Sequence, residues 1–240
     1  AANPGSGEAA RDLSVSLNKL GIYYGARGAA GDGEKALACY ERCHEVLEKL
    51  LAANPGSGQA ARDVSVSLNK LGDYYRARGA AGDGEKALAC YERALEVSEK
   101  LLPANPGSGQ VARDVSVSLG KLGEYYVARG AAGDGEKALA CYERCHEVVE
   151  KLLAANPGSG QAARDVSVSL NKLGDYYGAR GAAGDGEKAL ACYERALEIK
   201  EKLLAANPGS GQAARDVSVS LEKLGDYYRA RGAAGDGEKA

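Results

Sequence analysis

Apolar residues recur at helical spacing within a block that is repeated along the whole chain. In one copy, Val64, Leu68, Leu71 and Tyr75 follow one another at intervals of four, three and four residues. At about 100° of rotation per residue, these side chains share one face of a helix. The segment DVSVSL alternates apolar and polar residues as a strand does, but it is short and lies inside the longer helical pattern. The pattern therefore predicts a helix there as well.

Glycine, basic and acidic residues divide each block into two helices. Gly79 follows a basic segment and predicts the end of the first helix, because glycine readily takes the positive φ found there. Asp83 is predicted as the N-cap of the second helix, with Glu85 in its first turn. The second helix is predicted to end at NPGSG, whose serine, such as Ser57, is a candidate cap for the next block. Each block is thus predicted to be a hairpin of two helices, each of roughly twenty residues.

The block returns with a fixed period. The dipeptide Asn-Pro begins at positions 3, 54, 105, 156 and 207, a period of 51 residues. We expect one repeat array over 1–240, with units at about 3–53, 54–104, 105–155, 156–206 and an incomplete 207–240. Helical hairpins repeated in this way predict an all-α solenoid, in which each unit packs only on its neighbours.

Small and aromatic residues alternate at fixed places in the hairpin. Gly72 and Ala94 are expected to leave room where two helices approach, with the rings of Tyr75 and Tyr91 filling the volume beside them. The chain contains no Phe and no Trp, so tyrosine supplies every aromatic contact. Each buried tyrosine hydroxyl then needs water or an acceptor within reach.

These positions resemble the tetratricopeptide repeat (TPR) family. The residues that carry the resemblance are Leu68, Leu71, Gly72, Tyr75, Gly79, Ala87, Tyr91 and Ala94. The segment ACYERALEIKEKLL at 191–204 is similar to the extended form found in kinesin light chains. The resemblance implies antiparallel hairpins stacked into a right-handed superhelix, whose concave face is lined by first helices and binds peptides or protein segments. The loop GAAGDG and the 51-residue period exceed the family's usual turn and its repeat of about 34 residues.

Comparison of the units with one another indicates where a ligand would be contacted. Three columns of the first helix vary most, and they form their own stripe, turned away from the core stripe. The resemblance implies that this stripe faces the concave groove; drift at exposed positions is the alternative explanation. Constant Arg62 and Val66 lie toward the same face, which predicts an apolar floor with charges of both signs. The predicted peptide-contacting residues are Asn18, Ile22, Gly25, Arg62, Val66, Asn69, Asp73, Arg76, Gly120, Glu124, Val127, Asn171, Asp175, Gly178, Glu222, Asp226 and Arg229.

Charge and hydropathy argue against two classes of partner. The net charge is -2, and Lys and Arg are interspersed with Asp and Glu, so no basic stripe for nucleic acid is expected. No run approaches the roughly 20 apolar residues of a membrane-spanning helix, and the opening AANPGSGEAA has no signal segment. We expect a cytoplasmic protein with reduced cysteines and without a cofactor.

The cysteines and histidines suggest one alternative function. Two clusters, Cys39/Cys43/His44 and Cys141/Cys145/His146, bring together residue types that bind zinc or haem. Cysteines four residues apart can share a helix face, but a histidine one residue further points about 100° away, and no fourth ligand is visible. Cysteine in place of alanine at a packed small-residue site is the simpler interpretation.

No motif predicts an enzyme. GAAGDGEKA lacks the residue order of a phosphate loop, and Ser65 and Ser67 have no histidine within their repeat to act as a base. The expected function is therefore a protein-interaction scaffold. A spacer or regulatory arm of a larger signalling protein, with no ligand of its own, is the other alternative.

The two ends of the chain carry the same apolar stripe as the internal copies. Leu13 and Leu17 in the first unit match Val217 and Leu221 in the last, and neither end has an atypical polar cap. The sequence reads as a piece of a longer array. We expect the end of one molecule to fit the beginning of another, which predicts concentration-dependent head-to-tail association.

Overall fold

The computed structural model describes residues 7–105 and 107–232. Every regular element in these ranges is an α-helix, as the spacing predicts, and DVSVSL is helical in each described copy. The predicted start of a further helix near Ala240 and the first Asn-Pro connector lie outside the described residues. The helices are α1 (Gly7–Arg27), α2 (Asp32–Ala53), α3 (Gly58–Arg78), α4 (Asp83–Glu99), α5 (Gly109–Arg129), α6 (Asp134–Ala155), α7 (Gly160–Arg180), α8 (Asp185–Ala206) and α9 (Gly211–Arg231).

The predicted boundaries of the first helices are confirmed. The Ser57 hydroxyl accepts a hydrogen bond from the Ala60 N–H at 3.1 Å and so caps α3. At the other end, Gly79 has a φ of 62° and donates its N–H to the Tyr75 carbonyl. An L side chain would be strained in this conformation, which explains the glycine.

Asp83 is not the N-cap that the sequence predicts. Gly82 is the N-cap, with a φ of 80°, and Asp83 is the first residue of α4. The buried Asp83 carboxylate instead accepts two hydrogen bonds from the Arg78 guanidinium, at 2.7 and 2.6 Å, and one from the Ala80 N–H. These bonds tie the end of α3 to the start of α4 across a short loop, and they hold the pKa of Asp83 below its usual range.

Helices α3 and α4 form an antiparallel hairpin around the predicted core stripe. Val64, Leu68 and Leu71 are buried in it. A Cβ atom at Gly72 would lie 2.8 Å from the ring of Tyr91, so this glycine makes room for a tyrosine ring rather than for a second backbone. Ring packing of this kind requires glycine at that position, since any side chain would displace the ring.

Tyrosine hydroxyls find protein acceptors, as their burial requires. Tyr75 donates to Glu41 at 2.7 Å, and Tyr91 donates to Asp73 at 2.8 Å. Both hydroxyls therefore have a carboxylate acceptor within the protein.

The chain is an all-α solenoid with two compact units. The first consists of Ala1–Pro106 and Val117–Tyr125, and the second of Gly107–Ser116 and Tyr126–Ala240. In the first unit α2 packs on both α1 and α3, and Leu47, Val64 and Ala94 belong to one buried apolar cluster. In the second unit α8 packs on both α7 and α9. Helices α2 and α8 therefore each have their own hairpin partner on one side and the next first helix on the other.

The fourth helix is shorter than its counterparts. It ends at Glu99 after 17 residues, whereas α2, α6 and α8 each have 22. Pro103 stands where the other copies have alanine, and proline lacks the N–H that would bond to the Glu99 carbonyl. The backbone after Glu99 continues in tighter turns, with the Leu102 N–H bonded to the Glu99 carbonyl at 3.1 Å.

Candidate functional site

Consecutive first helices enclose a cleft in the first unit, which we call the α1/α3 cleft. Its cavity has a volume of about 280 Å³, with α1 and α3 as walls and α2 as floor. Among its lining side chains are Arg11, Val15, Asn18, Cys43, Leu47, Arg62, Asp63, Val66 and Lys70. Asn18, Arg62 and Val66 are predicted peptide-contacting residues, so the structure brings three of them together here.

The second unit contains an equivalent cleft between α7 and α9, the α7/α9 cleft. Its cavity has a volume of about 300 Å³ and is floored by α8. Its lining residues are Arg164, Val168, Asn171, Lys172, Asp175, Lys200, Asp216, Val219 and Lys223. Most of them, including the predicted Asn171, occupy the same columns of the repeat as the residues of the α1/α3 cleft, whereas the predicted Asp175 has no counterpart among the described residues that line the α1/α3 cleft.

Valines project from the walls of both clefts. Val15 and Val66 in the first unit are 51% and 40% exposed, and Val168 and Val219 in the second are 48% and 47% exposed. The alternation of DVSVSL in a helix places the first valine in the core and the second on the surface. Exposed β-branched residues at a fixed register give each cleft an apolar wall that a ligand could cover.

Ion pairs between neighbouring first helices frame the clefts. The Arg11 guanidinium lies 3.1 Å from the Asp63 carboxylate, and Arg164 lies 2.8 Å from Asp216. These pairs join residues a full repeat apart, so they fix the spacing of the helices. The charges they contain are already neutralised within the protein.

The asparagine column contributes amides whose Oδ1 atoms are buried and have spare hydrogen-bonding capacity. The Oδ1 atoms of Asn18 and Asn171 are buried in the two clefts, and neither has a hydrogen-bond partner among the described residues. The buried Asn69 differs, because its Nδ2 donates to the Ser118 hydroxyl at 3.1 Å, although its Oδ1 is also unpartnered in the part of the chain that the structure describes. An unsatisfied buried carbonyl costs stability, and a ligand N–H would relieve that cost.

Two of the predicted carboxylates already have protein partners. Asp73 accepts from the Tyr91 hydroxyl and lies 2.8 Å from Lys121 Nζ. Asp175 likewise accepts from the Tyr193 hydroxyl at 2.9 Å and pairs with Lys223 at 2.7 Å. These aspartates therefore link their own hairpin to the next first helix, a role that sequence reasoning within one repeat missed.

The remaining predicted residues are distributed more widely. Asp175, Gly178 and Asp226 line a further cavity of about 490 Å³ in the second unit. Gly120 is buried and Glu124 is half-buried, so neither presents a fully exposed surface. The exposed members of the predicted set are Ile22, Gly25, Val66, Arg76, Val127, Asp175, Gly178, Glu222, Asp226 and Arg229.

Two histidines lie at the joints between repeats, an arrangement that sequence reasoning missed. His44 Nδ1 lies 3.2 Å from the Ser67 hydroxyl of the next hairpin, and His146 Nδ1 lies 2.9 Å from Ser169. The expectation that these serines have no histidine neighbour holds only within one repeat. The Ser67 hydroxyl donates its hydrogen to the Val64 carbonyl at 2.8 Å, so the imidazole donates to the serine oxygen and does not activate it as a nucleophile.

The cysteine–histidine clusters do not assemble a metal site. No group of three or more His, Cys, Asp or Glu side chains is placed to hold a metal ion within residues 7–105 and 107–232. Cys43 is buried, and its thiol donates to the Ser14 carbonyl at 3.4 Å. Burial raises the pKa of the Cys43 thiol and lowers the pKa of His44. Nothing in this part of the chain supports the metal or haem alternative.

Lys200 is a buried cation that the sequence interpretation overlooked. It is 5% exposed, lies on the floor of the α7/α9 cleft, and donates to the Ser220 hydroxyl at 2.7 Å. Burial lowers the pKa of its ammonium group. The signal was present in the sequence, because the same column contains Leu47, Ser98 and Val149 in the other units.

Comparisons with known proteins define the class of fold. No family model matches the chain. It is 32% identical over 122 residues to Protein NCA1 of Arabidopsis thaliana, which is 50% of this chain but only 27% of that relative. A solved structure described as DHF58 filament is 19% identical, with a TM-score of 0.58, and covers 81% of this chain and 94% of its own. This likeness shows an all-α helical-repeat fold.

A natural repeat protein is a weaker structural match. A thermophilic TPR protein of Thermus thermophilus is 17% identical, with a TM-score of 0.37, and covers 87% of this chain and 99% of its own. Among the described residues, no helix is both long and apolar enough to span a membrane.

Proposed function

We propose that this protein is an interaction scaffold that binds an extended peptide or partner segment along its first helices. The single observation that carries the proposal is the recurrence of one cleft in both units, with exposed valines and an asparagine whose Oδ1 atom is buried and has no partner among the described residues. The valines offer apolar contact, and the unpartnered Oδ1 atoms of Asn18 and Asn171 can accept N–H groups of a ligand backbone. A spacer without a ligand would have no use for these unsatisfied acceptors.

We also propose that the repeats have the kinesin-light-chain-like form of the TPR, with a period of 51 residues. The proposal also includes a reducing compartment such as the cytoplasm, since all six cysteines are free thiols. The match to Protein NCA1 covers a minor share of that relative, so its role is not transferred to this chain.

The test uses peptides selected from a random display library on the intact chain. Replacement of Val15 and Val66 by glutamate should weaken binding of selected peptides by at least about tenfold in fluorescence polarisation, because it places charge on the apolar walls. The matched control replaces exposed Ala38 and Ala89 of the second helices by glutamate and should leave binding unchanged. Equal binding by both variants would move the ligand away from the clefts.

A second candidate function is end-to-end self-association. Helix α1 exposes Leu13, Leu20 and Tyr23, at 46%, 45% and 55%, whereas Val64 and Leu71, the counterparts of the two leucines, are buried on α3. The structural neighbour with the higher TM-score is described as a filament. Light scattering over increasing concentration checks this candidate, and a strict monomer at high concentration would remove it.

A further inference from the structure

The α7/α9 cleft contains one ammonium group, that of Lys200, which forms no ion pair with an acidic side chain among the described residues, although Asp216 attracts it at longer range. Both of its aspartates are already engaged, Asp216 with Arg164 at 2.8 Å and Asp175 with Lys223 at 2.7 Å. Lys200 has only the neutral Ser220 hydroxyl as a hydrogen-bond partner among the described residues. Buried ammonium groups are normally paired, so this arrangement is energetically incomplete.

A second polar group in the same cleft is also incomplete. Asn171 is 8% exposed, lines the cleft, and has an Oδ1 atom without a hydrogen-bond partner in the described part of the chain. A cation donor and a neutral acceptor thus face one cavity of about 300 Å³. A ligand carboxylate would form an ion pair with Lys200, and an amide N–H on the same molecule would donate a hydrogen bond to Asn171 Oδ1.

The other unit shows that the charge is not required by the fold. The position of Lys200 is occupied by Leu47 in the α1/α3 cleft, where it joins a buried apolar cluster. Asn18, the counterpart of Asn171, keeps its unpartnered Oδ1 atom there. The amide acceptor is therefore common to both clefts, whereas the cation belongs to the α7/α9 cleft.

We propose that the α7/α9 cleft is an acidic-residue subsite, in which the side-chain carboxylate of an Asp or Glu in a bound segment pairs with Lys200 Nζ while Asn171 Oδ1 accepts a backbone N–H. The inference rests on the proposed peptide-binding function and adds the chemical class of one ligand residue. The apolar walls Val168 and Val219 contact the aliphatic part of that residue. The α1/α3 cleft, with Leu47 at its floor, takes no such carboxylate.

The test observes Lys200 directly with a small probe. The probe is a single glutamate capped as N-acetyl and N-methylamide, titrated into lysine-labelled full-length protein while the Lys200 side-chain resonance is followed by NMR. We expect a saturable shift, with an affinity at least about tenfold higher than for the equally capped glutamine. Absence of a shift, or equal shifts with both probes, would overturn the inference.

Two variants and one further probe separate the alternatives. Lys200→Leu, which copies Leu47, should abolish the difference between capped glutamate and capped glutamine, measured by backbone resonances of the cleft. The control Lys202→Ala, an exposed lysine of α8 paired with Glu198, should retain it. N-acetylalanine with a free carboxylate tests a chain terminus as the source, and a response equal to that of capped glutamate would overturn the assignment to a side chain.

The outcome is independent of the general peptide test. If the valine variant loses binding of selected peptides while the Lys200 resonance does not shift with capped glutamate, the acidic-residue subsite is contradicted and the scaffold function is supported. If Lys200 responds while the valine variants bind selected peptides normally, the extended site fails and the carboxylate subsite stands.

Discussion

The α1/α3 and α7/α9 clefts are built from the same columns of the repeat but have different floors. In the first, Leu47 and Cys43 lie on the floor, and His44 bonds to Ser67 at the joint. In the second, a buried lysine bonds to Ser220. The walls of valine, asparagine and paired charges are alike. One repeat framework can therefore present clefts of different chemistry by changing residues on the second helix alone.

The largest effect is expected when the cation is placed in the apolar cleft. Leu47→Lys should destabilise the protein by about 3–5 kcal/mol, because the ammonium would replace a buried leucine of an apolar cluster without gaining a carboxylate partner. Urea denaturation followed by circular dichroism measures the change. A loss below about 1 kcal/mol would show that the two floors are interchangeable.

The reverse exchange should stabilise the second unit. Lys200→Leu is expected to raise the free energy of unfolding by about 1–4 kcal/mol at neutral pH, since it removes the cost of burying a charge. The pKa of Lys200 is lowered in the fold, so this cost is fully present below the lowered value and falls away as the pH rises from there toward 10.5. The advantage of the variant should shrink over that alkaline range, which denaturation at several pH values checks.

A change inside the hairpins should affect both units alike. Gly72→Leu and Gly174→Leu should each cost about 1–3 kcal/mol, because their Cβ atoms would lie 2.8 and 2.6 Å from the rings of Tyr91 and Tyr193. Gly25→Leu is the control, since nothing lies within 4 Å of its Cβ position. Unequal losses in the free energy of unfolding for the two variants would show that the two units differ in hairpin packing as well as in the floors of their clefts.

The smallest effect concerns the joints that contain histidine. Replacement of His44 and His146 by leucine, the residue of the other repeats, should cost about 0.5–1.5 kcal/mol per lost hydrogen bond at neutral pH. The imidazole of His44 faces Glu48, Glu45, Arg93 and Ser67, and burial, the largest influence, lowers its pKa.

The sign of the pH effect follows from that lowered pKa. As the pH falls below 6.5, His44 and His146 bind protons more readily in the unfolded chain than in the folded protein, because their pKa is lowered in the fold. The native protein therefore loses stability. The leucine variant should lose less between about pH 7.5 and about pH 5.5. Parallel pH profiles for the two proteins would contradict this.

The helices were predictable because their signals are local. The spacing of Val64, Leu68 and Leu71, the positive φ of Gly79 and the Ser57 cap each involve a few neighbouring residues. The N-cap role of Asp83 was predicted wrongly, because aspartate is used both as a helix N-cap and as the partner of an arginine that joins two helices. Only the loop geometry distinguishes the two roles, since Gly82 takes the cap position.

The candidate site was less predictable because its contacts join different repeats. Asp73 is predicted to face a ligand on the basis of variation in its column, and the structure adds an ion pair with Lys121 that the column did not reveal. His44 and Ser67, and Lys200 and Ser220, likewise meet across a joint. Comparison of one repeat with another identifies the columns, yet it does not reveal which columns of neighbouring repeats meet.

The ion pair between the arginine that ends a first helix and the aspartate that begins the second helix has a consequence for the order of folding. Arg27 with Asp32, Arg78 with Asp83, and Arg180 with Asp185 are each separated by only five residues in sequence. A contact over so short a loop costs little chain entropy, whereas the ion pairs between first helices must close a whole repeat. We expect each hairpin to close early and to act as a nucleus on which the next one assembles, so that the rate of folding is set by nearest neighbours and little by the number of repeats.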